Sequence, residues 1–133
     1  MENGENGPRP RRDLRERTFG LARRVVRLYS ALDKGALAQT LGRQVLRSGT
    51  SVGANYREAD QARSKLEFIA KIGDCLKEAD ETQYWLELMA AEGVVQPPES
   101  AGLIDETNQL VAIFTTIRRR AEEREKGKEK TEK

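Results

Sequence analysis

The sequence predicts an all-α chain folded as an up-down-up-down four-helix bundle, and three observations carry that prediction. Apolar residues recur in alternating steps of three and four through four separate stretches, the period that gathers them on one face of a helix. No stretch shows the period-two alternation of a half-buried strand. Aromatic residues make up only 5% of the 133 residues, and the prolines fall near the amino terminus and at Pro97-Pro98, which suits helices better than a sheet.

The first helix is expected from Asp13 to Leu32. Leu14, Thr18, Leu21, Val25, Leu28 and Leu32 form its seam, Asp13 caps its start, and Asp33-Lys34-Gly35 stops it, with Gly35 suited to a left-handed conformation. The second runs from Ala36 to Gln61 along Leu37, Leu41, Val45, Ser48, Val52, Asn55 and Ala59. Gly42, Gly49 and Gly53 lie inside it, each costing about 0.5–1 kcal/mol relative to alanine. A break near Gly49-Thr50 is weighed against one continuous helix held by tertiary packing, and the continuous helix is preferred.

The third helix opens on a capping box, Ser64-Lys65-Leu66-Glu67, in which the serine accepts from the Glu67 amide and the glutamate reaches back. It runs to Glu92 and stops at Gly93. Its inward stripe comprises Phe68, Ile69, Ile72, Cys75, Leu76, Ala79, Gln83, Leu86, Met89 and Ala90. After the turn at Pro97-Pro98, the fourth helix runs from Glu99 or Ser100 to Ala121 on Leu103, Thr107, Leu110, Phe114, Ile117 and Ala121. Short connections make neighbours antiparallel. The domain plan is a disordered arm over residues 1–12, the bundle over 13–121, and a charged tail over 122–133 that extends the last helix and then frays.

Composition limits the chemistry. Histidine is absent and Cys75 is the sole cysteine, so zinc sites of the usual spacing and Ser-His or Cys-His nucleophiles cannot be built. No Walker-type or dinucleotide glycine motif occurs. The chain is therefore expected not to be an enzyme and to need no cofactor or metal. It carries no secretory signal and no membrane span, which points to the cytoplasm.

Twenty-four basic and 22 acidic residues give a net charge of +2, but they are unevenly placed. Between Arg9 and Arg27 eight arginines face two acids, whereas from Ser64 to Glu92 three lysines face seven acids. Such a division suits polyanion binding or complementary self-association. Arg17, Arg23, Arg24 and Arg27 lie opposite the seam of the first helix, and Arg43, Arg47, Arg57, Arg63, Lys65 and Lys71 extend the basic set. These ten are the candidate nucleic-acid contacts. The alternative is a solvated face, or salt bridges to the acidic flank of helix three in a neighbouring subunit. No aromatics interleave the arginines, so contact would be with the phosphate backbone and weakly selective.

Three further groups stand out. Ser48, Ser51 and Asn55 follow the inward seam of helix two, with Gln83 opposite. They read as a polar core layer that fixes helix register, or alternatively as a polar site facing a channel. Gly49 and Gly53 share a face, read as close helix packing in preference to ligand approach. On helix three, Leu66, Ala70, Gly73, Tyr84 and Leu88 form a second narrow face and Trp85 lies on the opposite flank. These six are the candidate oligomer interface, against the alternative of scattered exposed apolar residues.

The stretch LRSGTSVGANYREADQARSKLEFIAKIGDCLKEADETQYWLELM, Leu46 to Met89, closely resembles the bacterial four-helix-bundle family first described from intervening sequences within large-subunit ribosomal RNA genes. That family also includes accessory proteins of diversity-generating retroelements. The resemblance extends over roughly Arg17 to Arg120. Where the family often has Asn-Ile-Ala-Glu-Gly, this chain has Asn55-Tyr56-Arg57-Glu58-Ala59. The resemblance implies a four-helix protomer, a ring-like homopentamer, nucleic-acid binding to RNA or DNA and, for the retroelement branch, a reverse-transcriptase partner. The expected function is thus a homo-oligomeric nucleic-acid-binding accessory protein, with a structural adapter that binds a protein partner as the alternative.

Overall fold

The computed structural model describes the backbone of residues 10–132 and the side chains of residues 13–128. Four helices follow one another: α1 (Pro10–Ser30), α2 (Ala36–Asp60), α3 (Lys65–Ala91) and α4 (Pro97–Glu132). No strand occurs among the described residues. Helices consecutive in sequence pack side by side, α1 and α4 complete the square at a wider spacing, and the diagonal pairs do not bring their backbones together. The expected four-helix arrangement is what is found.

The three-four periodicity does what it predicts. Leu14, Leu21, Val25 and Leu28 of α1, Val45, Val52 and Tyr56 of α2, Ile72, Leu86 and Met89 of α3, and Leu110 and Phe114 of α4 meet in one continuous core. The rings of Tyr56 and Phe114 touch across it, with centroids 6.1 Å apart. Helix α2 is continuous through Gly49, and the reason lies in its neighbour. A Cβ on Gly49 would stand 2.9 Å from both methyls of Val25, and one on Gly53 would stand 3.3 Å from the Thr18 carbonyl oxygen. The glycines let α1 and α2 approach closely, and the packing so gained outweighs their propensity cost.

The helix ends differ in detail from those expected. Helix α1 starts at Pro10, so Asp13 sits in the first turn and favours the helix through its charge. Proline fits a first helical position because its missing N–H would go unused there. The same reason lets α4 start at Pro97, ahead of Glu99. Gly35 does not become left-handed: it is extended (φ −67°) at the start of α2, and its N–H donates to the Asp33 carboxylate at 2.8 Å. Gly93 does take positive φ (72°), and the Val94 N–H returns to the Met89 carbonyl at 2.8 Å. The Ser64 hydroxyl accepts from the Glu67 N–H at 3.0 Å, while the Glu67 carboxylate reaches back past the serine to the Arg63 N–H.

Residues 1–9 of the expected arm lie outside the described residues, and residues 10–12 are helical. Helix α4 continues past Ala121 to Glu132. Arg124 lies level with the α2–α3 turn, lining a cleft with Arg63, Ser64 and Lys65. The remaining residues to Glu132 carry the helix roughly 12 Å further.

Candidate nucleic-acid and assembly surfaces

The ten expected nucleic-acid contacts fall into two groups when their partners are followed. Arg17 turns toward α4, where its fork meets the two Glu106 oxygens at 2.9 and 3.1 Å and also donates to Gln109. That bidentate pairing raises the guanidinium pKa against the opposing effect of burial. Arg47 is clamped between Glu78 and Glu81 of α3, and Lys71 bonds Glu58 at 2.6 Å. In both cases the carboxylate hydrogen bond pushes the cation's pKa up. These three join helices to one another, a role that spacing along one helix does not reveal.

Arg23, Arg24, Arg27, Arg43, Arg57, Arg63 and Lys65 are exposed and form no salt bridge among the described residues. Arg23, Arg24 and Arg27 stand together on the outward and α4-facing sides of α1. Arg24 and Arg27 border a cleft with Pro98 and Glu99 at the start of α4. That helix start is not itself an anion cradle: residues 97 and 98 lack N–H groups, and those of Glu99 and Ser100 already point at the Gln96 carbonyl. Arg57 lies over the Phe19 ring, 5.5 Å from its centroid. The sequence reading left out Arg118, Arg119 and Arg120 on α4, all exposed, of which Arg118 pairs with Glu122 at 3.5 Å. The Arg-Arg-Arg run was the available signal.

The expected polar layer is corrected in its membership. Ser48 is buried, but its partner is Thr82, hydroxyl to hydroxyl at 2.8 Å, and not Gln83. Ser51 and Asn55 are only half-buried, and each donates within its own helix, to the carbonyls of Arg47 (2.7 Å) and Ser51 (2.9 Å). Gln83 reaches outward to Glu87. Thr18 and Thr107 are also buried and back-bond their own helices, so most seam hydroxyls are satisfied locally and do not bridge helices.

The six residues of the expected assembly face are also divided. Leu66 (69%) and Tyr84 (57%) are strongly exposed and Ala70 is exposed as well. Gly73 is half-covered, close to the Arg118 side chain of α4. Leu88 and Trp85 are half-buried against the core. Trp85 donates its indole N–H to Glu81 at 3.3 Å and meets Tyr84 edge-on at 5.0 Å. A second apolar strip went unread in the sequence: Phe19 (53%) and Val26 (45%) project from α1 beside Ala22, facing Thr50 and Ala54 of α2 over a shallow trough. Between α1 and α4, a hollow of about 620 Å³ lies against Leu14, Ile113 and Ile117.

Among the described residues no cluster of His, Cys, Asp and Glu is placed to hold a metal, and no helix is long and apolar enough to cross a membrane. Cys75 is buried, and burial pushes its thiol up to about 12, with Asp74 adding to the effect.

A family model described as 23S rRNA-intervening sequence protein matches residues 12–116. Among solved structures, the chain is similar to a protein of unknown function from the S23 ribosomal protein family of Bacteroides thetaiotaomicron VPI-5482. The two are 35% identical with a TM-score of 0.74, over 79% of this chain and 97% of that one. Among curated proteins none matches.

Proposed function

We propose, from the premise that this chain belongs to the family of 23S rRNA-intervening sequence proteins, that it is a non-enzymatic nucleic-acid-binding accessory protein of the cytoplasm that works as a homo-oligomer, with five subunits the first choice. In the retroelement branch of this resemblance its partner is a reverse transcriptase within a ribonucleoprotein. The observation that carries the reading is the group Arg23, Arg24 and Arg27. These three exposed cations are left without a salt bridge among the described residues, while Arg17, Arg47 and Lys71 are consumed by acids of the same chain. A cation already fixed to a carboxylate gains little from a phosphate, whereas a free one releases counterions when it binds. In an oligomer the free group is repeated around the assembly, so modest contacts add.

A salt titration of binding to single-stranded RNA and duplex DNA tests this. Affinity should fall with salt on a log–log plot, with slope about −0.9 per contacted phosphate on duplex DNA and about −0.7 on single strands. Arg23→Glu/Arg24→Glu/Arg27→Glu should abolish binding with the oligomer intact. Arg17→Met, by contrast, should leave the slope unchanged. Absence of binding to either nucleic acid at low salt would sink the reading. The second reading, an adapter that binds a protein partner, then takes its place; the exposed apolar strips on α1 and α3 favour it.

A further inference from the structure

Three cations from three different segments converge on one cleft of the bundle. Arg63 comes from the turn between α2 and α3, Lys65 from the first position of α3, and Arg124 from the last stretch of α4. All three are exposed, and none forms a salt bridge among the described residues. The acids nearby are already engaged. Asp60 is the one carboxylate among the described residues that line the cleft, and Arg15 meets it at 3.7 Å. The Glu67 carboxylate accepts from the Arg63 N–H, and Glu122 pairs with Arg118 at 3.5 Å. Like charges held together repel one another, and an anion seated between them relieves that repulsion.

The cleft is shaped by local hydrogen bonds. The Gln61 and Ala62 N–H groups return to the Glu58 and Ala59 carbonyls at 3.1 Å, and the Ser64 hydroxyl accepts from the Glu67 N–H at 3.0 Å. Arg63 and Lys65 flank that cap, so both stand on fixed backbone. The rest of the wall is largely apolar, formed by Ala59, Ala62 and the half-buried Phe68. The volume, about 490 Å³, falls within the roughly 300–1,000 Å³ of small-ligand sites.

We propose that this cleft binds a di- or triphosphate chain, free or carried by a nucleotide. The two arginine forks match pairs of phosphate oxygens, and Lys65 adds a point charge. A chain of phosphoryl groups reaches several cations at once, which a single phosphate does not. The side chains and the cleft carry the assignment, not the start of α3, whose Glu67 and Phe68 amides are already bonded to Ser64. The site is separate from the nucleic-acid surface put forward above. Arg24 and Arg27 stand beside Pro98 at the start of α4, whereas Arg124 lies toward its other end. Arg124 also lies beyond residues 12–116, the part of the chain that the family model matches.

Calorimetric titration of the full chain with inorganic triphosphate, ATP and orthophosphate, in the presence of a chelator, tests the assignment. Triphosphate should bind saturably, and orthophosphate roughly tenfold more weakly or less tightly still. ATP that binds no tighter than triphosphate assigns the site to the phosphate chain alone; tighter binding of ATP assigns it to a nucleotide whose base meets the apolar wall. Arg63→Gln and Arg124→Gln should each weaken triphosphate binding roughly tenfold or more. Their melts without ligand should match wild type, because neither side chain is bonded to another. Arg119→Gln, at an exposed position outside the lining, should leave the titration unchanged. Five results would overturn the proposal: no saturable binding of either polyphosphate, orthophosphate bound as tightly, affinity unmoved by Arg63→Gln or Arg124→Gln, an equal loss in Arg119→Gln, or ligand-free melts lowered enough to give these cations to the fold. Displacement of triphosphate by a short RNA lacking a terminal phosphate, as readily as by ATP, would also overturn it and make the cleft part of the nucleic-acid surface.

Discussion

The same substitution, glycine to alanine, should have opposite effects at two positions of this bundle. Gly20 lies within α1, and a Cβ built on it meets nothing within 4 Å. Alanine there gains helix propensity of about 0.8–1 kcal/mol with no steric charge against it. Gly49 lies within α2 and gains the same, but its new methyl would stand 2.9 Å from both Val25 methyls. Valine in a helix is confined almost to one rotamer, so it cannot rotate aside and the two helices must part. Overpacking of this kind costs about 1–3 kcal/mol, leaving a net destabilisation of about 0–2 kcal/mol once the propensity gain is subtracted. For a domain of this size, that corresponds to Tm raised by roughly 2–5 °C for Gly20→Ala and lowered by up to roughly 8 °C for Gly49→Ala. Circular dichroism melts at one fixed protein concentration measure both. A Gly49→Ala variant that melted as high as Gly20→Ala would refute the claim that glycines in α2 exist to admit α1.

Asn55→Ala should change stability by less than about 0.5 kcal/mol, because the side chain only back-bonds its own helix at Ser51; a loss above about 2 kcal/mol in urea unfolding would show that it bridges helices after all. Burial draws the Glu81 carboxyl upward, yet the hydrogen bonds from Arg47 and Trp85 outweigh it and hold the group below its ordinary 4.5. A depressed carboxyl contributes stability above that unfolded value and loses it as pH falls through the lowered one. Acid titration of Arg47→Met should therefore show a smaller loss of stability below pH 4.5 than wild type shows. Cys75, buried and pushed up to about 12, should resist iodoacetamide at pH 8 and react once urea unfolds the chain; rapid labelling of the native protein would contradict its burial.

The sequence by itself determined the class of fold, the four helices and most of the core. Leu14, Leu21, Val25, Val45, Ile72, Leu110 and Phe114 are buried where periodicity put them. Helical period and capping chemistry are local properties, readable from residues within one or two turns, and so the Ser64 cap and the Gly93 stop were legible as well. Helix ends were less so, since proline at a first helical position satisfies the same local rules as a residue before the helix. What the tertiary structure decided is the fate of each polar side chain. Arg17 lies beside the seam of α1 and Arg23 opposite it, about 120° away on a helical wheel, but only the packed bundle brings Arg17 to Glu106, 89 residues away, and leaves Arg23 in solvent. Ser48 found Thr82, a residue the three-four count did not single out, and Asn55 turned back on its own helix. The exposed strip of Phe19 and Val26 exists only because α2 leaves it uncovered. Burying apolar surface is non-directional and follows the periodic pattern of the chain. Pairing a charge or a hydroxyl depends on which atom another helix brings to within about 3 Å, and that distance is set by how the four helices pack.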